Sequence, residues 1–348
     1  MTSIRRAGGS AASSRTGRLV LGAVLGLSLL IAAVGAAAWA IGRAPAPRPR
    51  AGHSAARAAS LRAAGASRPP PAPAAAAAAG AGSADPVGRG GPIPFRRDAC
   101  LAFAPTGRPN GATVFLDPGH GGTDPGAIAR ADGRIVTEKQ VTLAIARRAL
   151  PLLRRDGYRV VMSRTGDTTV ARLRAGDVHG RVMTPAGAQR EIEARNLCAD
   201  AARATVLVAL HMNAFSQPSA RGAEAFYCPS RPFAARSRRL AAAVQHAVVT
   251  QLRRAGMSPE NRGVLPDRAG GGTALTPQTA DYHHLIELGP ADRPWLPDPS
   301  RMPGVLLEPA FLSNPGDAAF LVSARGQRAL AHALVAGLDT YRHVAPSP

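Results

Sequence analysis

The sequence predicts a layered α/β fold built on a largely parallel sheet. From about Gly111 onward, short apolar runs alternate with longer amphipathic stretches, so that strands are followed by helices. Three of the apolar runs stop at or just before a histidine or glutamate, at the strand ends where open α/β sheets place their ligands. In chain order the expected elements are a strand at Thr113–Leu116, a helix at Glu138–Arg155, a strand at Tyr158–Met162 and a helix at Glu191–Ala202. Strands at Thr205–Leu210 and Ala223–Tyr227, a helix at Ser237–Ala255, a strand at Val305–Leu307 and a helix at Gly326–Tyr341 complete the series. Pro151 lacks an amide proton and should kink or end the first helix. The turn-rich stretches 166–190 and 266–304 are long enough to be functional loops or disordered segments.

Upstream of this domain the composition changes. Of 43 Lys+Arg and 22 Asp+Glu residues, 13 basic and one acidic lie in residues 1–97, so more than half of the net +21 sits in less than a third of the 348-residue chain. Residues 1–42 hold Arg5, Arg6, Arg15 and Arg18 ahead of an uncharged run from Leu19 to Gly42, long enough for a membrane-crossing helix. Arginines ahead of such a run keep the N-terminus cytoplasmic and export the remainder of the chain. Ala38-Trp39-Ala40 has the small-x-small form of a signal-peptidase site. The length of the run and the interfacial character of Trp39 favour a retained anchor. Residues 43–110 form an Ala/Pro/Arg-rich linker and domain entry, of which 43–97 cannot bury an apolar face and should be disordered. Its arginines suit anionic lipid headgroups or anionic envelope polymers. Residues 111–348 are the globular domain.

The basic balance invites a nucleic-acid reading. An aromatic content of 4% leaves few stacking platforms, and an export segment opposes it. Collagen, coiled coil and a disulfide-stapled miniature are excluded by periodicity and by a count of three cysteines. Those three, Cys100, Cys198 and Cys228, allow one disulfide and a spare thiol, and the sequence does not choose the pair. Their spacing fits no cysteine-based zinc motif, and burial as apolar thiols accounts for Cys198 and Cys228.

The densest chemistry lies in VFLDPGHGGTDPG, Val114 to Gly126, where a strand runs into a Pro-Gly turn and presents His120. Glu138 opens the next helix, a place where a carboxylate also favours the helix dipole. In VLVALHMNA an apolar strand ends at His211, two residues before Asn213, and in VLLEPAFLSN another ends at Glu308. Each residue alone has an ordinary structural explanation. Together, two histidines and a glutamate are a catalytic zinc set with an open fourth position, and a second glutamate fits the base such a site needs. Asp117 either orients a ligand or stabilises the turn. Arg195 reads as an internal anchor, and adjacent His283 and His284 should point apart. The arginine pairs 147–148, 154–155, 238–239 and 253–254 read as solvated helix faces.

Taken in order, LDPGHGGTDPGA, the helix-opening EKQ, SRTGD, ARNLCADA, ALHMNA, NRGV and LLEPAFLSN resemble the zinc-dependent N-acetylmuramoyl-L-alanine amidases of the third amidase class, which are bacterial cell-wall hydrolases. The resemblance covers about Thr113 to Val344. It implies one zinc ion per chain held by His120, Glu138 and His211, with Glu308 as the catalytic carboxylate. It also implies a mostly parallel central sheet of about six strands flanked by helices, peptidoglycan as the substrate, and cleavage between the lactyl group of N-acetylmuramic acid and L-alanine. Asn213 and Arg262 are candidates for holding the stem peptide, and an activating protein partner is open. The expected location is the cell envelope outside the cytoplasm. The chain departs from the family pattern at Pro309-Ala310-Phe311, where a Gly-Phe pair is usual, and at Ala209-Leu210 ahead of the histidine. Residues 174–190 and 267–300 are longer than typical. A zinc peptidase acting elsewhere in the wall peptide, or a wall-binding module with a degenerate site, are the competing readings.

Overall fold

Alternation along the central strands divides their side chains between two buried faces, which is why these strands read as continuous apolar runs. The computed structural model describes residues 84–344, apart from 89, 270–281, 286 and 294, all within one compact unit, Ala74–Pro348. The Leu19–Gly42 run and the linker up to residue 83 lie outside the described residues. Among the described residues no helix is long and apolar enough to cross a membrane.

The main sheet is built from β1 (Ala84–Pro86), β2 (Ala99–Phe103), β3 (Thr113–Pro118), β6 (Arg159–Arg164), β9 (Val206–Leu210), β10 (Ala223–Tyr227), β11 (Asn261–Pro266) and β12 (Gly304–Glu308). Two small hairpins supply β4 (Ile128–Ala131) with β5 (Arg134–Thr137), and β7 (Val178–His179) with β8 (Val182–Met183). The order across the eight-stranded sheet is β1-β2-β6-β3-β9-β12-β10-β11. Strands β6, β3, β9 and β12 run parallel to one another, β10 and β11 are parallel to each other, and β2 and β10 run against their inner neighbours.

The helices are α1 (Glu138–Arg155), α2 (Pro185–Ala201), α3 (Ala234–Arg254), α4 (Pro315–Val322) and α5 (Ala324–Val344). On one face Val114, Leu116, Val160, Met162, Val208 and Leu307 pack in one core with apolar residues of α1, α3 and α5. On the other, Phe115, Val161, Leu207 and Leu306 pack with Cys198 and Ala199 of α2 and with Leu285, Leu288 and Met302. A disulfide joins Cys100 on β2 to Cys198 on α2, and Cys228 is a free, buried thiol.

The parallel α/β architecture expected from the sequence is present, with eight strands where about six were expected. The extra edge strands β1 and β2 come from residues 84–103, so regular structure begins ahead of residue 111 and part of the 43–110 stretch belongs to the sheet. Cys198 is not a plain apolar thiol but half of the disulfide. Pro151 does not end α1, which runs four residues further; Pro151 faces solvent, while buried Leu153 and Arg154 hold the last turn. Arg154 is not a solvated charge either: its Nε donates to the Ala104 carbonyl at 2.8 Å and its guanidinium lies over the Phe103 ring.

Candidate metal centre and active-site cleft

Three parallel neighbours, β3, β9 and β12, end side by side, and their C-terminal ends deliver His120, His211 and Glu308 to one edge. Glu138, the first residue of α1, closes the group. His120 Nε2 lies 3.0 Å from Glu138 Oε2, and His211 Nδ1 lies 3.0 Å from Glu138 Oε1 and 3.2 Å from His120 Nε2. These three side chains form a cluster able to hold a metal ion. The donor set, two imidazole nitrogens and a carboxylate, is one that zinc favours. Ligand atoms about 2.0–2.2 Å from such an ion would sit slightly further apart than these contacts, so small side-chain shifts admit it.

The sequence folds this way because the turn after β3 is fixed from several sides. His120 has φ 61°, an unusual value for a residue with a side chain. Two buried arginines hold the carbonyls around it. Arg164 donates to Pro118 and Gly119 at 2.9 Å each, and Arg195 to His120 at 2.8 Å. Arg195 in turn is pinned by Asp117 at 2.5 Å and Glu191 at 2.9 Å. Arg195 is therefore the internal anchor expected of it, and SRTGD contributes a second one. Gly119 is required because a Cβ there would lie 2.3 Å from the His211 ring. Gly126, at φ +64°, would press a Cβ within 2.6 Å of both Glu138 and His120.

Both oxygens of Glu138 also accept backbone amides, from Ala127 and Met212 at 2.9 Å each, so its carboxylate is aimed rather than left to cap the helix. Lys139 reaches Asp167 at 2.9 Å and the Gly122 carbonyl at 2.7 Å, tying the helix start to the glycine turn.

Asp124 was missed by sequence reasoning, which weighed only Asp117, as either an orienting carboxylate or a turn residue. Asp124 Oδ2 lies 2.7 Å from His120 Nδ1 and fixes the ring from behind, while its Oδ1 accepts the Gly126 amide at 3.0 Å. Its signal was present in the motif, four residues after His120. Asp117 instead pairs with Arg195 and sits against Glu287 and His211.

Electrostatics sharpen these roles. Burial opposes protonation of His120, but the Glu138 and Asp124 carboxylates outweigh it and raise its pKa to about 10. Burial likewise opposes ionisation of Glu138, yet the two histidines hold it well below the usual carboxylate range. Glu308 behaves oppositely. It is buried, its Oε2 has no hydrogen-bond partner among the described residues, and burial together with the charges of Glu138 and Glu224 pushes it well above the ordinary carboxyl range. Glu287 is pushed up in the same way by burial and by Asp117.

Asn213 and Arg262, the expected peptide contacts, are both brought to Glu224, a third residue not singled out from the sequence. Asn213 Nδ2 donates to its carboxylate and Arg262 Nε lies 2.7 Å from Oε2. Glu224 stands directly opposite Glu308 across the β10–β12 ladder. An acidic residue inside the otherwise apolar run AEAFY was the available signal. Arg262 also lies over the Phe311 ring, 5.2 Å from its centre.

The centre opens into a cleft of about 560 Å³, within the range of ligand sites. Met183, Gln189 and Ile192 line it together with Leu285, Glu287 and Trp295, so both long loops shape it. Gln189 Nε2 bridges them by donating to the Trp295 carbonyl at 3.0 Å.

Residues 114–340 match the family described as N-acetylmuramoyl-L-alanine amidase (Amidase_3). The chain is 31% identical over 240 residues to the amidase AmiC of Neisseria meningitidis serogroup B, covering 66% of this chain and 52% of that one. It is 30% identical over 231 residues to the amidase LytC of Bacillus subtilis, covering 66% of this chain and 36% of that one. The chain thus spans about half or less of the length of these relatives. Among solved structures, the CwlD amidase of Clostridioides difficile, determined in complex with the GerS lipoprotein, is similar with a TM-score of 0.50 and 26% identity, over 67% of this chain and 100% of that one. With 114–340 of 348 residues matched, the chain belongs to the N-acetylmuramoyl-L-alanine amidase family.

Proposed function

We propose that this domain hydrolyses the amide bond between the lactyl group of N-acetylmuramic acid and the L-alanine of the peptidoglycan stem peptide. The reading is carried by one observation. His120, Glu138 and His211 converge at the edge of a cleft into which Glu308, a buried and unpaired carboxyl, also faces. Zinc held by those three residues supplies Lewis acidity toward water and toward the scissile carbonyl. Glu308 accepts the proton of the attacking water and returns it to the departing alanine amine, so that one C–O bond forms as the C–N bond breaks. Asp124 keeps His120 in the orientation the metal needs. Asn213, on the cleft lining, and the partly exposed Arg262 contact the stem peptide while both hold Glu224.

The proposed location is the cell envelope. The Cys100–Cys198 disulfide supports an oxidising compartment, and the run at 19–42 serves as export signal or anchor. The basic N-terminal region then lies near anionic headgroups or wall polymers. The CwlD neighbour was solved with a lipoprotein bound, which supports a protein partner for this domain too. Digestion of purified peptidoglycan with subsequent labelling of new amino termini tests the bond. New N-terminal alanine on released peptides is expected. A new amino terminus on any other stem residue would replace the reading with a peptidase.

A further inference from the structure

We propose that the protein holds a second metal ion of the zinc class, bound by Cys228, Asp267 and His284 and separate from the catalytic set. Cys228 lies just after β10, Asp267 just after β11, and His284 on the limb of the 266–304 loop that returns toward β12. All three side chains are buried, and their ligand atoms lie within 4.8 Å of one another. The Cys228 Sγ to His284 Nδ1 distance is 3.6 Å. A tetrahedral zinc with bonds of about 2.3 Å to sulfur and 2.0–2.1 Å to nitrogen sets those two atoms about 3.6 Å apart.

The arrangement is not that of a nucleophilic cysteine relay. In such a relay the thiol and the carboxylate use opposite nitrogens of the imidazole. Here Asp267 Oδ2, at 2.8 Å, and the Cys228 sulfur both address Nδ1, while Nε2 faces Arg268 at 3.2 Å. Sulfur, nitrogen and oxygen donors within 4.8 Å of one another form a set that a zinc-class cation takes once Asp267 Oδ2 moves back slightly from its 2.8 Å contact with Nδ1. Among the described residues, Asp267 Oδ1 is also buried without a hydrogen-bond partner. Coordination through Nδ1 would place the ring proton on Nε2, and exposed Arg268, now 3.2 Å from Nε2, would then have to give up that contact.

The ion would clamp the ends of two strands to the loop that carries Leu285, Glu287 and Trp295 to the cleft wall. Its ligands come from three separate elements, which is why cysteine spacing along the chain does not reveal it. The second site is independent of the proposed reaction.

Cobalt(II) loading of the full-length oxidised protein tests it. Cys228 is the one cysteine outside the disulfide, and the catalytic set contains no sulfur, so a thiolate-to-cobalt charge-transfer band in the near ultraviolet reports this site alone. Two metal ions per chain and that band are expected in the wild-type protein. The band should vanish in Cys228→Ser and in His284→Ala, and should persist in His211→Ala, which loses the catalytic ion instead. Folded wild-type protein with one ion per chain and no band would overturn the proposal. So would two ions without the band, or a band that survives Cys228→Ser.

Discussion

The carboxyl of Glu308 is buried, unpaired at Oε2 among the described residues and crowded by Glu138 and Glu224, so folding favours its neutral form while the proposed reaction needs it as a base. A carboxyl whose folded pKa is raised binds protons more tightly in the native state, so its cost to stability appears above the unfolded value of about 4.5 and grows as pH rises toward the folded pKa. Glu308→Gln should therefore stabilise the metal-free protein by about 1–3 kcal/mol at neutral pH. The gain should fade as pH drops toward 4.5, and it should be smaller with metal bound, because a nearby cation favours the ionised form. Denaturant titrations of both proteins across pH measure this; equal stabilities at neutral pH would remove the argument for strain at Glu308. Asp124 makes a second residue-scale prediction. Asp124→Asn keeps an oxygen for the Gly126 amide but loses the acceptor facing His120 Nδ1, so zinc affinity should fall about 10–100-fold in chelator competition. Unchanged affinity would reduce Asp124 to a turn residue.

At the scale of elements, the central strands and helices α1, α3 and α5 were legible because burial on both sheet faces leaves uninterrupted apolar runs and these helices carry their apolar residues on one face, whereas α2 was expected only from Glu191 and begins at Pro185. The bounds of α1 were legible from its amphipathic stretch opening at Glu138, although Pro151 was expected to kink or end it. What escaped was short or exposed. The β4–β5 hairpin shows Ile128 and Ile135 to solvent, so it has no apolar face to read, although Asp132-Gly133, both at positive φ, carried its turn signal. Strand β11 contains Gly263 and ends at Pro266, residues that read as loop. Helix α4 is only two turns long, and its marker was Asn314-Pro315, a cap whose side chain accepts from Gly316 and Asp317. The disulfide joins two elements that no sequence pattern connects. Because it closes 98 residues of separation, the Cys100→Ser/Cys198→Ser double variant should lose about 2–5 kcal/mol of stability. Reduction of the wild type should shift its unfolding midpoint by a similar amount, and an unmoved midpoint in both would show the bond to be dispensable.

Across the whole molecule, four residues drawn from distant parts of the chain meet at one sheet edge because three parallel strands end together there. That meeting was foreseeable from the sequence: each strand end was visible as an apolar run stopping at a chemically active side chain. The partners of those residues were not, because Asp124, Glu224 and Glu287 act through contacts that only the turn, the strand ladder and the long loop create. The same separation explains the charge. The net +21 that suggests nucleic acid divides between an N-terminal region with the marks of export and a domain of a cell-wall hydrolase family. The central claim is that Glu308 works on a reaction centre assembled by His120, Glu138 and His211. It is tested most directly by comparing wild type with Glu308→Ala in metal content and in release of alanine-terminated peptides from peptidoglycan. The account predicts the wild-type metal content with hydrolysis reduced at least about 100-fold; full activity in the variant, or loss of its metal, would contradict it.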